Sequence, residues 1–189
     1  PRAITALADA GCHALIWAAA SPITDDVLRA ARPTNLRLLG GRSAGVVDTR
    51  NGLNMTSLAL TPRAGKVALI TQSQSLTAGA LDWALGRNIG FSWLACTGAE
   101  ADIDAADLLD HAALDPRTRA VVLQIGDIHQ PRKFMSAARA AARVKPVLVL
   151  QTQSRNARVM GPDPVRSAAF ARAGLIECEN LGGLFDGLA

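Results

Sequence analysis

The chemistry in this chain concentrates in residues 66–85, KVALITQSQSLTAGALDWAL. Val67-Ala-Leu-Ile-Thr71 is a short apolar run with a β-branched character, Gln72-Ser-Gln-Ser75 is a polar turn, and the residues after it repeat at helical spacing. The reading is strand, turn and helix N-terminus. Ser73 or Ser75 can cap the helix, while the free N–H groups of its first turn and the positive end of its dipole face whatever sits above the strand. Such an end attracts anions, phosphate above all. Gln72, Ser73, Gln74 and Ser75 are therefore the candidate anion-binding residues. Strand–turn–helix units recur throughout α/β proteins, so a helix cap that binds nothing explains the spacing alone equally well.

The rest of the composition narrows the partners. With 189 residues, 49% hydrophobic and 19% charged, the chain can bury a sizeable core. No apolar run approaches the roughly 20 residues that span a bilayer, and no basic start leads into an apolar core, so a cytoplasmic protein is expected and no membrane partner. Cys12, Cys96 and Cys178 are odd in number and far apart. They suggest reduced, buried thiols, with neither a disulfide framework nor a metal site. The net charge of +4 is spread over scattered arginines, and tyrosine is absent. Without a dense basic run or stacking aromatics, nucleic acid is not an expected partner, whereas an anionic small ligand is compatible.

The elements that position the turn can be read in order. Ile4 to Ala10 looks like a helix stopped at Gly11, Ala14 to Ala18 a buried strand, Thr24 the cap of a helix through Ala31, and Leu36 to Leu39 a strand running into Gly40-Gly-Arg-Ser-Ala-Gly45. This helix–strand–helix–strand run lacks an opening strand and a glycine-rich first turn. It reads as the C-terminal half of a doubly wound, Rossmann-like domain, residues 1–50. From residue 46 to 65 no period is sustained, and 51–65 is taken as a crossing segment. Residues 66–189 then alternate strands at 67–71, 91–96, 120–125, 147–151 and 175–178 with helices at 75–86, 104–113, 131–143, 164–173 and 181–187. Five such units predict a complete parallel-sheet α/β domain with helices on both faces. Trp17, Trp83 and Trp93 are expected as core or domain-contact aromatics, with Leu81, Trp83 and Phe91 clustered under the sheet.

These residues carry a resemblance. Leu38-Leu-Gly40, Gly52-Leu-Asn54, Leu69-Ile-Thr-Gln-Ser73, Leu81-Asp-Trp83, Ile89-Gly-Phe-Ser92, Ala101-Asp-Ile-Asp104 with Asp107-Leu-Leu109, Arg132-Lys-Phe134, Lys145-Pro146 and Arg172-Ala-Gly174 follow in the order seen in NDP-forming acyl-CoA synthetases. The chain resembles that superfamily, which is related to the α subunit of succinyl-CoA ligase, from about residue 3 onward. The resemblance implies a CoA-binding Rossmann-like domain followed by a flavodoxin-like domain, CoA or acyl-CoA as ligand, an ATP-grasp domain or subunit as partner, and an oligomeric assembly. It places Gly40, Arg42 and Ser43 near the thioester end of CoA. Asn54 is expected to order the crossing loop, because Asn in such turns bonds its own backbone.

In that family a histidine on a loop of the second domain takes a phosphoryl group from an acyl phosphate and passes it to a nucleotide, a task suited to imidazole. The corresponding stretch here, QTQSRNARVMGPDPVRSAAF after Leu150, contains no histidine, and the chain has His13, His111 and His129 elsewhere. A surface or packing role is expected for each. Gly126, followed by Asp127, stands where the family has a glutamate that orients the histidine; Gln74 replaces the turn glycine and is expected to crowd an incoming oxyanion; Gly40-Gly-Arg-Ser43 replaces Gly-Pro-Asn-Ser or Gly-Pro-Asn-Cys. The loss of the histidine, and the short loop ending in Gly161-Pro-Asp-Pro164, resemble the synthetase-like part of bacterial protein lysine acetyltransferases, which carry a GNAT domain absent from this sequence. Three functions remain open: a CoA-binding regulatory region without ligase chemistry, a piece of a working ADP-forming ligase, and a structural interface module.

Overall fold

The computed structural model describes residues 2–152 and 163–186. The chain opens with helix α1 (Arg2–Asp9), strand β1 (Ala14–Trp17), helix α2 (Asp25–Ala31) and strand β2 (Arg37–Gly40). The two strands pair in parallel, Leu15 beside Leu38 and Ile16 beside Leu39. Side chains alternate across such a pair. Leu38 accordingly joins a small core with Ile4, Ile23, Val27, Ala31 and Leu36, while Leu39 enters the main core of the chain.

Next come β3 (Gly45–Asp48), β4 (Leu53–Thr56), β5 (Ala64–Thr71), α3 (Gln74–Gly86), β6 (Phe91–Cys96), α4 (Ala105–Leu114), β7 (Ala120–Ile125), α5 (Pro131–Ala142), β8 (Val147–Gln151), α6 (Pro164–Ala173), β9 (Ile176–Cys178) and α7 (Leu181–Asp186). The strands form one sheet in the order β4-β3-β6-β5-β7-β8-β9. From β6 to β9 all neighbours are parallel. Counted from β5, that part has the 2-1-3-4-5 order of flavodoxin-like folds. Strands buried on both faces need continuous apolar runs, and Ala120-Val-Val-Leu-Gln-Ile125 and Val147-Leu-Val-Leu150 supply them. Helices α4, α5 and α6 cover one face through Leu109, Ala138 and Phe170; α3 and α7 cover the other through Ala80, Leu81, Ala84 and Leu184. Leu81 and Phe91 lie in that second cluster with Trp83 packed against it, as the sequence suggests.

The local signals have identifiable partners. Asp104 caps α4 by accepting from the N–H groups of Ala106 and Asp107, and Asp107 returns the bond to the Asp104 N–H. Lys133 places Nζ 2.9 Å from Asp104 and 2.8 Å from Asp107, which ties α5 to the start of α4. Asp102 accepts from Arg37 Nε at 3.1 Å and from the Leu38 N–H at 2.7 Å, so the same acidic stretch also fastens the β1–β2 unit to the larger sheet.

Two expectations change. Residues 46–65 are not without regular structure: β3 and β4 form an antiparallel hairpin, and β3 extends the main sheet by pairing with β6. Strands of four residues are too short to show a period, and their pairing is set by neighbours and by the turn at Gly52, whose φ of 64° suits glycine. Of the cysteines, Cys96 is buried but Cys12 and Cys178 are half-exposed. Among the described residues no helix is long and apolar enough to cross a membrane, and no cluster of His, Cys, Asp and Glu could hold a metal ion.

Candidate functional site

In an open parallel sheet the ligand crevice lies beyond the carboxyl ends of the strands, where neighbouring connections leave in opposite directions. Here that point is around β5, whose neighbours are β6 and β7. A cavity of about 420 Å³ opens there, lined by residues following four strands: Gln72 and Ser73 after β5, Gly98 and Ala99 after β6, Gly126, Asp127 and His129 after β7, and Thr152 after β8. Ser73 is the N-cap of α3, accepting from the Leu76 N–H at 3.3 Å. The start of that helix forms one wall.

Gln72 holds the floor together. Its Oε1 accepts from the N–H groups of Gly126 at 2.7 Å and Asp127 at 3.0 Å, and its Nε2 donates to the Asp127 carbonyl at 2.7 Å. Its own N–H donates to Gln124 Oε1 at 2.9 Å, and Gln124 Nε2 reaches Thr152 Oγ1 at 2.7 Å. Two glutamine amides thus stitch the ends of β5, β7 and β8. Behind them lies Glu100, at φ 53°, whose Oε1 accepts from Thr97 Oγ1 and the Ala105 N–H. Burial pushes the Glu100 carboxyl above its ordinary value, against the hydrogen bonds from Gln72, Thr97 and Ala105 that favour the charge. Gln72→Leu would leave the Gly126 and Asp127 N–H groups and the Asp127 carbonyl without these partners. We expect it to cost about 2–3 kcal/mol in urea unfolding; a loss below about 0.5 kcal/mol would show that the amide bridges nothing essential.

Other candidate residues lie at different distances from this cavity. Gln74 and Ser75 open α3 on its exposed side, and Gln74 Nε2 reaches Ser57 Oγ at 3.2 Å. Gln74 therefore does not crowd the cavity: Ser73 and Leu76 line it, whereas the Gln74 side chain leaves the helix start toward Ser57. Gly40, Arg42 and Ser43 form a loop whose backbone abuts the cavity's β6 wall. The Ala99 N–H donates to the Gly41 carbonyl at 2.8 Å. Ser43 is buried, donating Oγ–H to the Cys96 carbonyl and accepting from the Gly45 N–H at 2.9 Å, so its hydroxyl is spent on structure. Arg42 is exposed at φ 57°, with its N–H bonded to the Ala19 carbonyl. Asn54 is away from the cavity on β4, where its Oδ1 accepts from Thr56.

Sequence reasoning passed over Gly98, Ala99, Gln124, Thr152 and His129 as cavity residues. Gln124 carried a signal, being the one polar residue inside an otherwise apolar buried strand. His129 carried none, because its place depends on how the β7–α5 connection folds back. The stretch after Leu150, where the resemblance implies a histidine and the sequence has none, lies partly outside the described residues, from 153 to 162.

A 2-1-3-4-5 parallel sheet with a polar cavity at its switch point, one wall formed by a helix N-terminus, defines an α/β protein of the flavodoxin-like class. Within that class the chain belongs to the succinyl-CoA ligase like flavodoxin domain family, whose model matches residues 64–189. The α subunit of acetate–CoA ligase (ADP-forming) I from Pyrococcus furiosus is 32% identical over 174 residues, covering 87% of this chain and 38% of that protein. Acetate–CoA ligase (ADP-forming) from Methanocaldococcus jannaschii is 31% identical over 166 residues, 82% of this chain and 23% of that protein. The structure of dinucleotide forming acetyl-coenzyme A synthetase 1 from Candidatus Korarchaeum cryptofilum, in complex with phosphate and ADP, superposes with a TM-score of 0.87 at 25% identity, over 97% of this chain and 44% of that one. The chain spans less than half the length of each of these relatives.

Proposed function

We propose that this chain is a CoA- or acyl-CoA-binding, regulatory region of an NDP-forming acyl-CoA synthetase homologue and that it does not carry the phosphoryl-transfer step. The reading rests on one observation: the capped N-terminus of α3 lines the switch-point cavity, the loop bearing Arg42 is bonded to the back of its β6 wall through the Ala99 N–H and the Gly41 carbonyl, and the stretch after β8 has no histidine. Gly40 and Arg42 lie at the thioester end of the ligand, Ser43 fixes their loop, and Ser73 with the first turn of α3 receives an anionic group. The ligase names of the relatives support CoA as the ligand, their ADP-forming label supports a nucleotide-handling partner, and the family resemblance makes that partner an ATP-grasp domain. The missing histidine supports kinship with the synthetase-like part of protein lysine acetyltransferases, with a GNAT domain elsewhere in the assembly. Residues 1–50 act as the CoA-binding half-domain, apart from β3, which is paired with β6 in the other sheet, and 66–189 act as the ligase-like domain.

Arg42→Ala removes an exposed guanidinium that has no partner among the described residues, so unfolding should be unchanged while CoA affinity falls about tenfold, the size of one charge-assisted contact. Isothermal titration of both forms with CoA measures this; equal affinities would remove Arg42 from the site.

One observation favours a second reading, that of a working ligase. His129 and Asp127 line the same cavity, two residues apart. In that reading His129 takes the phosphoryl group from an acyl phosphate, releasing the carboxylate, and Asp127 orients the ring. Incubation with acetyl phosphate labelled in its phosphoryl group decides. Under the first reading the protein stays unlabelled; acid-labile label lost in His129→Asn would establish the second.

A further inference from the structure

Strand β4 bounds one side of the main sheet, and among the described residues no strand pairs with its outer edge: Leu53 is 41% and Met55 44% exposed, with Asn54 exposed between them. Open edges are ordinarily blunted by charge, proline or a bulge. The sequence Leu-Asn-Met-Thr of β4 has no charge and no proline, and its register with β3 is unbroken.

The ladder shows which backbone groups face outward. The Ser57 N–H donates to the Ala44 carbonyl at 3.0 Å, and the Thr49 N–H to the Ser92 carbonyl at 3.3 Å. In antiparallel alternation, Leu53 and Met55 therefore spend their peptide groups on Asp48 and Val46 of β3, while Val47 bonds to β6. Asn54 and Thr56 turn theirs outward. The Thr56 N–H is already taken by Asn54 Oδ1 at 3.2 Å. Among the described residues, nothing bonds the N–H and C=O of Asn54 at the middle of the edge.

That edge is self-complementary. A two-fold axis beside Asn54 lets its N–H and C=O exchange bonds with those of the Asn54 in another copy, and then sets Leu53 opposite Met55 twice over. Such flanking pairs, not hydrogen-bonded to each other, bring side chains closest, and all four apolar groups lie on one face. An unrelated strand would not need apolar residues placed symmetrically about the open peptide. We propose that β4 pairs antiparallel with β4 of a second copy of this chain, giving one sheet continuous through both. One short strand pair buries less than the roughly 1,200 Å² of a standard stable interface, so the dimer forms at high protein concentration.

Sedimentation velocity across a concentration series, with amide hydrogen exchange at each point, tests this. A reversible dimer is expected, with the Asn54 amide slowing as concentration rises while those of Leu53, Met55 and Thr56, already bonded within the chain, do not change. The double variant Leu53→Lys, Met55→Lys places like charges along the edge and should weaken association at least about tenfold without altering the unfolding curve, since both side chains are exposed. A monomer up to about 1 mM, near the weakest affinity worth calling specific, would overturn the proposal. So would a dimer indifferent to the lysines, or protection appearing elsewhere than at Asn54.

Discussion

Gly98→Ala is expected to destabilise the protein by about 3 kcal/mol or more and to abolish ligand binding at the switch-point cavity. Gly98 has φ +65°, and a Cβ built there would fall 2.1 Å from the Gly41 carbonyl oxygen and 3.0 Å from the Arg42 carbonyl carbon. Neither atom belongs to a flexible side chain. The Gly41 carbonyl is held by the Ala99 N–H, and the Arg42 N–H by the Ala19 carbonyl, so relief requires the whole 40–43 loop to move off the β6 wall. The left-handed backbone adds its own penalty for any residue with a Cβ. Gly79→Ala is the control: it lies inside α3 with nothing within 4 Å of its Cβ position, and it should stabilise by about 0.5–1 kcal/mol. Urea unfolding of both variants measures the contrast. Equal effects would mean that the two loops do not depend on their close approach.

Asp115→Ala should cost about 3 kcal/mol near neutral pH, because its carboxylate gathers several buried groups at the opposite end of the sheet. Asp115 accepts from Trp93 Nε1 at 3.2 Å, Thr118 Oγ1 at 2.9 Å and Arg117 Nε at 3.0 Å, and Arg117 continues to Asp48 at 2.9 Å. Burial pushes the carboxyl up, but the hydrogen bonds from Arg117 and Thr118 and the Arg117 charge outweigh it, and the group is lowered from 3.8 to about 2. A depressed acid stabilises the fold above its unfolded value. Its contribution, about 2 kcal/mol by linkage, is complete above pH 5 and is lost as pH falls through 4 towards 2. Unfolding free energies of the two proteins should therefore converge on acidification. A gap unchanged between pH 7 and pH 2.5 would show that packing, not charge, explains the loss.

The parallel sheet was readable because strands covered on both faces must be apolar throughout, as Val121 to Leu123 and Val147 to Leu150 are. Helix starts were readable where a local signal makes them, the side-chain cap at Asp104 and the fixed backbone angle of Pro131 in the first turn of α5. The β3–β4 hairpin was not, since its strands are held by long-range pairing that four residues cannot encode as a period. In the candidate site, the Ser73 cap was visible as a local signal. Gln72 was visible as a polar turn residue but not as a bridge, because Gly126 and Asp127 come from a strand more than fifty residues later. The inward walls at Gly98 and His129 belong to tertiary folding for the same reason.

The central claim is that this region binds a CoA-type ligand, and calorimetric titration of this chain with CoA and acetyl-CoA tests it most directly. The account predicts saturable one-to-one binding tighter than about 1 mM, lost in Gly98→Ala and kept in Gly79→Ala. Absence of heat at millimolar CoA would contradict it and leave the sheet as a structural module.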